Sequence, residues 1–525
     1  MIRTASDADT QVLNLTEAAK FVRVSEKTMR EMARGKRVPC QKVGREWRFL
    51  RSGLEHWLAG ETPCAMVAES AQAYGQTELF PAADTVDEKE TKAGFGDSAF
   101  TNNRREPVHR WVPWVAGFSA AFVEGVLDAA VPGKADEVTV LDPFAGVGTT
   151  LVEGLKRGHD VIGFEINPYA ALACDVKVSS VRCTLKQLAQ AIQEVDDLRR
   201  QRPHSNARPK SVPPRDFKSR RPFFSPAVER QVLLLQDLMA QQTNGFLRDV
   251  MKLALGAVMV SFSNYSYEPS LSTRAAAGKD EIEDADVLTI FREKLWEIEV
   301  DIGFLQRHMK RFKHKPKAKV HRRSYLDGSR VLPARSVDVV VTSPPYLNNY
   351  HYVRNTRPQL YWLGLVDQRP DLKKLEEDSF GRFWQTVRAG PRVELAFELP
   401  GLRKLLETIR ERNPEKGAYG GSGWANYAAT YFNDCDRFFE ITRRVMKRGG
   451  WVVVVIGNNI VQGVHIETDQ FLARIAEMHG FKLDHMHRVR KKRTGSSIVN
   501  SSVRVGVTHQ RTELYETAVQ LRAPQ

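Results

Sequence analysis

Two short stretches of this chain combine residue types that could do chemistry. In VDVVVTSPPYLNNYHYV, residues 337–353, an apolar run of the kind found in a buried strand stops at Ser343-Pro344-Pro345-Tyr346. The two prolines supply no backbone N–H and fix their own φ, so the chain leaving the strand is stiff and its carbonyls stay out of any ladder. The Ser343 hydroxyl adds a second acceptor, and the Tyr346 ring offers a surface for stacking. An exocyclic amine on a nucleobase matches this set. Its two hydrogens go to Ser343 and the Pro344 carbonyl while its ring lies on Tyr346. With its hydrogens engaged, the amine's lone pair is less delocalised and can attack an electrophilic methyl group. A Pro-Pro turn at a sheet edge explains the prolines, but not their strand-end position together with a glycine loop elsewhere in the chain.

That loop is the second stretch. Asp142-Pro143-Phe144-Ala145-Gly146-Val147-Gly148 follows one apolar run and opens a helical one, and glycines there let a ligand lie against the backbone. The next strand ends in Glu165, seventeen residues past Gly148, where a carboxylate can accept hydrogen bonds from ribose hydroxyls. A nucleoside cofactor fits both features. Thr150 and Leu151 stand where a dinucleotide fingerprint needs a third glycine, which weakens an NAD reading. No HExxH or Cys/His spacing supports a metal.

These residues need a frame. Strand-like runs at 138–141, 161–165, 337–341 and 449–459, with a helix over 149–157, predict an α/β unit with a parallel sheet and the loop at the carboxyl ends of its strands. A helix-rich stretch, about 184–320, interrupts it. Ahead of it, residues 1–60 read as a separate module. Thr16 is a candidate cap for a first helix, Ser25 caps a second over 26–34, an alternating run turns around Gly44-Arg45, and Ser52 can cap a last helix with Leu54, Trp57 and Leu58. Residues 61–103 lack periodicity and read as a linker. The domain expectation is therefore 1–60, 61–103 and 104–525.

Composition narrows the partners. Lys and Arg number 78 against 63 Asp and Glu, a net charge of +15, which favours a polyanion such as nucleic acid. The basic runs 307–323 and 487–497 are candidate phosphate contacts. Five scattered cysteines argue against a disulfide framework, and no apolar run is long enough to span a bilayer, so a soluble protein of a reducing cytoplasm is expected.

The order helix, turn, helix, wing, helix in 1–60 resembles excisionase/MerR-like DNA-binding domains. That resemblance implies a groove-facing second helix carrying Lys27, Arg30 and Arg34, with Lys42, Arg45 and Arg48 of the wing on the backbone. DPFAGVGTT and TSPPY resemble motifs I and IV of the S-adenosylmethionine-dependent DNA amino-methyltransferases, over roughly 104–181 and 320–495. The resemblance implies a Rossmann-like fold with a seven-stranded, mostly parallel sheet. Asp142, Phe144, Gly146 and Gly148 would line the methionine side of the cofactor, Glu165 would hold its ribose, and Asp327 would lie near its adenine. Ser343, Pro344, Pro345 and Tyr346 would clamp the target base. Residues 109–127 look like the helix that closes over the cofactor. Asn349, Tyr350 and Arg354 follow the clamp closely enough to touch an extruded base or its phosphates. Serine before Pro-Pro-Tyr favours cytosine N4 over adenine N6. Double-stranded DNA is the expected partner, with a restriction or defence protein a further one. Either 184–320 or 350–430 could read the target. RNA base methylation and a non-catalytic DNA-binding regulator are the other readings, the last opposed by the intact glycine loop and clamp.

Overall fold

The structure, a computed structural model, describes residues 12–22, 24–34, 38, 40–43, 46–50, 54, 103–114, 117–132, 138–201, 208–267, 270–347, 351–492 and 514–525. One compact unit lies within residues 1–77 and a larger one within 78–525. The expected linker falls outside the described residues except for Asn103, as do Trp57 and Leu58 of the expected last helix.

In the small unit, β1 (Val12–Leu13) pairs with β3 (Glu46–Leu50), which pairs with β2 (Gln41–Val43). Helices Leu15–Val22 and Glu26–Arg34 bury Ala18, Ala19, Met29 and Ala33 against Leu13, Phe49 and Leu54. The first helix is capped by Asn14 and not by Thr16. Asn14 Oδ1 accepts the Glu17 N–H at 3.0 Å and the Glu17 carboxylate accepts the Asn14 N–H at 2.8 Å, a reciprocal box that needs this three-residue spacing. Ser25 caps the second helix, accepting from Thr28 N at 3.1 Å. Arg30 is exposed on that helix, and Arg48 is already engaged with Glu46. The side chains of Lys27, Arg34, Lys42 and Arg45 lie outside the described residues.

The larger unit is built on a sheet of seven strands. They are β4 (Thr139–Asp142), β5 (Asp160–Phe164), β8 (Ala318–His321), β9 (Val337–Thr342), β10 (Met446–Gly457), β13 (Lys482–Lys492) and β14 (Leu514–Arg522). Two small hairpins, β6–β7 (Tyr265–Tyr267, Leu271–Thr273) and β11–β12 (Asn459–Val461, Val464–Ile466), lie apart from it. The order is β13-β14-β10-β9-β4-β5-β8, with only β14 running against its neighbours. This is the Rossmann-like, mostly parallel sheet that the motifs imply. Strands buried on both faces explain the unbroken apolar runs of β9 and β10. Val339, Val341, Val453 and Val455 pack on the helix Ala120–Ala130, while Val340, Val452, Val454 and Ile456 pack on the helices Gly421–Val445 and Thr468–Met478.

Chain order sets the position of the site. From β4 the chain steps outward to β5 and β8, then returns to the other side of β4 as β9. Helices diverge at such a reversal, so a cleft opens outside the carboxyl ends of β4 and β9. The pairing Leu141↔Val340 brings Asp142 and Thr342 side by side there. The stretch between β5 and β8 holds the helices Leu185–Gln201, Pro226–Gln241, Gly245–Val258 and Val287–Met309 and the hairpin β6–β7, and the last residues of the expected insertion 184–320, from Ala318, belong instead to the edge strand β8.

One of the two basic runs needs correcting. His314 and the Lys317 N–H both reach Asp160, the first residue of β5, so Lys310, Arg311, Lys313 and Lys315 sit at the end of the sheet opposite the cleft. Only the end of that run, at Arg323, lines the cleft. Residues 487–492 of the other run end the edge strand β13, which runs parallel to β10, so Arg490 and its neighbours stand at the cleft end of the sheet, with the charge of Arg490 felt at Tyr346; 493–497 lie outside the described residues. Among the described helices none is long and apolar enough to cross a membrane.

Candidate functional site

A cleft of about 1260 Å³, its open mouth included, lies at the carboxyl ends of β4, β5 and β9. Its floor is the glycine loop. The Asp142 carboxylate accepts from Thr342 Oγ1 at 2.6 Å and from the Phe144 N–H at 3.0 Å, joining the two strands on either side of the reversal to the loop. Burial pushes this carboxyl up to about 6, against the stabilising effect of those bonds. Glu165 does the same work one strand over. Its Oε2 accepts from the Gly146 N–H at 2.8 Å and its Oε1 from the Asn167 N–H at 2.7 Å. Burial raises it to about 7, and the neighbouring charge of Asp142 adds to the effect. Each carboxylate oxygen keeps a lone pair for a further donor.

The two glycines have different tasks. Gly146 lies at φ +51°, and a Cβ there would meet Trp114 Nε1 at 3.3 Å. It lines the cleft under the indole. Gly148, at φ +86°, turns the loop into the helix Thr149–Lys156, and a Cβ would meet Cys174 Sγ at 3.2 Å. Gly148 does not line the cleft; it is needed for the left-handed turn and for packing on Cys174, whose thiol donates to the Gly146 carbonyl at 3.1 Å.

Trp114 was not singled out by the sequence, although it falls in the segment expected to cover the cofactor. That segment is not helical where it matters: a short turn, His109–Trp111, leads into extended chain, and the helix begins only at Ala120, capped by Ser119. Trp114 stacks on Tyr352 with ring centroids 5.9 Å apart and planes 17° from parallel, forming an aromatic wall above the loop. The segment is tied from below at two points. His109 Nε2 meets the buried Glu153 at 2.7 Å. Buried Asp301, on the helix Val287–Met309, accepts from the Val108 N–H at 2.8 Å, from Arg110 at 2.7 and 3.0 Å, and from Trp111 Nε1 at 3.0 Å. Val108 stands at φ +71°, a conformation that a β-branched residue holds only when its surroundings impose it.

Ser343, Pro345 and Tyr346 face the same cleft, while Pro344 is buried outside its lining. The Tyr346 ring lies close over Gly457 of β10, where a Cβ would come within 3.3 Å of two ring carbons. Ser343 Oγ is 3.4 Å from Tyr346 Oη, at the outer limit of a hydrogen bond. Beyond the clamp, His351 sits against the Phe383 ring and 3.4 Å from Glu376. Burial and the charge of Arg354 lower it to about 4, so its ring is neutral at pH 7. Arg354 itself is exposed, and Asn349 and Tyr350 lie outside the described residues.

Asp327 is a correction. Its carboxylate is exposed and pairs with Arg437 at 3.2 Å; the residues of its segment that line the cleft are Arg323, Ser324 and Tyr325. Tyr325 begins a helical turn that rotates position 327 outward. Phe144, by contrast, lines the cleft and packs on Phe380 and Phe438.

Comparison with known proteins agrees with both units. Residues 12–62 match the family of helix-turn-helix domains. The chain is 24% identical over 441 residues to the Type II methyltransferase M.BsoBI of Geobacillus stearothermophilus, 76% of this chain and 83% of that one. It is 22% identical over 404 residues to the Type II methyltransferase M.MvaI of Kocuria varians, covering 74% and 85%. To the Type II methyltransferase M.AvaI of Nostoc sp. it is 24% identical over 456 residues, covering 81% and 88%. The chain is thus a homologue of Type II methyltransferases that carries a helix-turn-helix domain at its N-terminal side.

Proposed function

We propose that this protein is a site-specific DNA methyltransferase that transfers a methyl group from S-adenosylmethionine to the exocyclic amine of an extruded base, with cytosine N4 favoured over adenine N6. The observation that carries the reading is the meeting of the glycine loop, Glu165 and the Ser343–Tyr346 strand end in one cleft. The cleft suits the cofactor: Gly146 leaves a backbone surface under Trp114, and the Glu165 carboxylate, half-buried in the cleft wall, keeps acceptor capacity for ribose hydroxyls. S-adenosylmethionine, when bound, supplies an electrophilic methyl group. The chain's own residues do the rest. Phe144 and Trp114 exclude water from the two sides of the loop. Ser343 Oγ accepts a hydrogen of the amine, which leaves the nitrogen lone pair free to point into the cleft, and Tyr346 supports the ring. A base inside a duplex cannot reach this cleft unless it is extruded. The helix-turn-helix domain serves duplex binding in this reading, the protein acts at the nucleoid, and a restriction enzyme is its expected companion.

The test is transfer of a labelled methyl group to duplex DNA, single-stranded DNA and RNA, with mass spectrometry of the product nucleosides. N4-methylcytosine from duplex DNA is expected. N6-methyladenine would keep the enzyme and reverse the base preference; a product in RNA alone would replace the substrate class.

Glu165 gives the cofactor site a pH dependence. In the free protein its carboxyl ionises near pH 7, and ribose hydroxyls donate to the ionised form. Affinity therefore falls as the pH drops through about 7, up to tenfold per unit, because binding must first displace a proton. Calorimetry between pH 6 and 8 should show this slope, and Glu165→Gln should flatten it. A flat profile for the unaltered protein would remove Glu165 from the cofactor contact.

A further inference from the structure

We propose that residues 208–221 form a phosphate-binding strap that holds duplex DNA beside the mouth of the cleft; the inference rests on the DNA reading above and assigns it a surface. The segment, RPKSVPPRDFKSRR, runs without helix or strand between the helices Leu185–Gln201 and Pro226–Gln241. Arg208, Arg215, Lys218 and Arg220 are exposed and make no side-chain ion pair among the described residues. Asp216 is the only acid in the segment.

A basic loop is usually just a solvated one, but this one is fastened by its uncharged atoms. The N–H groups of Lys210 and Ser211 each reach the Asp237 carboxylate at 2.7 Å, and Ser211 Oγ adds a bond of 2.6 Å. Phe217 is inserted among Phe223, Tyr361 and Trp362. The Lys218 carbonyl accepts from Arg357 at 2.9 Å, and Asn264 binds the carbonyls of Pro222 and Phe223. Ordering an extended segment costs backbone entropy, and here the anchors hold the backbone while the cations stand free. Such an array is preorganised for a chain of phosphates, whose spacing suits separate point contacts.

Position supports the same partner. Arg357, which grips the strap, begins the helix Arg357–Trp362, and His351, Tyr352 and Val353 just before it line the cleft. Asn355 between them binds the hairpin β6–β7, accepting from Leu271 N at 3.0 Å and from Tyr267 Oη at 3.0 Å. The helical stretch between β5 and β8 is thereby joined directly to the chain leaving the clamp. The cations at Lys310, Arg311 and Lys313, equally exposed, lie at the far end of the sheet and serve as an internal control.

The experiment compares the full-length protein with the triple variant Arg215→Ala/Lys218→Ala/Arg220→Ala and with Lys310→Ala/Lys313→Ala. Binding of a fluorescent duplex is titrated between 0.05 and 0.3 M salt, alongside S-adenosylmethionine affinity and thermal melting. The strap variant should keep its melting temperature and cofactor affinity, lose about tenfold or more in duplex affinity near 0.15 M salt, and reduce the slope of log K against log salt by about two to three, at about 0.9 per phosphate contact removed. The Lys310/Lys313 variant should keep the slope. An unchanged slope in the strap variant, or equal losses in both variants, overturns the strap while leaving duplex methylation by the unaltered protein standing. Loss of RNA affinity with duplex affinity intact would assign the surface to RNA instead. Failure of the unaltered protein to bind or methylate duplex DNA would defeat the strap together with the reading on which it rests.

Discussion

Tyr346→Ala lowers kcat/KM for methyl transfer to duplex DNA by about 10²- to 10³-fold and leaves S-adenosylmethionine affinity within about twofold. Stacking of a base on an aromatic ring contributes about 1–3 kcal/mol, or roughly 5- to 150-fold, and loss of the wall that orients the amine adds to this. Cofactor binding is spared because the proposed contacts come from the glycine loop and Glu165, at the ends of β4 and β5, whereas Tyr346 stands on the chain leaving β9 and rests on Gly457 of β10. The ring is buried, so its removal also leaves a cavity and costs stability. Tyr346→Phe separates the effects. It keeps the ring and gives up the hydroxyl with its long contact to Ser343, so activity should stay within about threefold of the unaltered protein. Normal turnover by the Ala variant would sink the clamp, and a Phe variant as inactive as Ala would shift the role from the ring to the hydroxyl.

Asp301→Ala should have the second large effect, at a distance from the chemistry. The carboxylate is buried and receives two neutral N–H donors and the Arg110 guanidinium. Removing it takes this acceptor from all three, at a cost of about 3–5 kcal/mol for a broken buried pair. It also releases the hold on Val108, whose positive φ is unfavourable without that anchor. The segment carrying Trp114 then loosens over Gly146, and S-adenosylmethionine affinity should fall about tenfold or more. Scanning calorimetry measures the first effect and titration of the cofactor the second. A variant that melts earlier but binds the cofactor as before would show that the tether is structural only and that Trp114 is not part of the cover. Asp301→Asn, which retains one acceptor oxygen, should fall between the two in both measurements.

Much of this molecule was legible because local chemistry wrote it into the chain. The strands β4, β5, β9 and β10 are buried on both faces, so they had to be short apolar runs with abrupt ends, and both the glycine loop and the Ser-Pro-Pro-Tyr stop sit at such ends. The helix cap at Ser25 is local too, since a cap is a relation over three residues. β8 and β13 were not legible: both are edge strands whose open sides carry cations, so their composition reads as a basic run.

What the sequence determined by itself is the chemistry at two strand ends and the type of fold that presents such ends. What the tertiary structure decided is which distant residues meet there. Strand order put Thr342 on Asp142, 200 positions apart, because the chain reverses direction across β4. A helix 190 residues from Trp111 supplies the acceptor that fixes the cover, and no periodicity announces a partner at that separation. The outward rotation of Asp327, the packing task of Gly148 and the opposite placement of the two basic segments belong to the same class. Each depends on which way a residue faces once the layers are packed, and a linear pattern of residue types does not contain that direction.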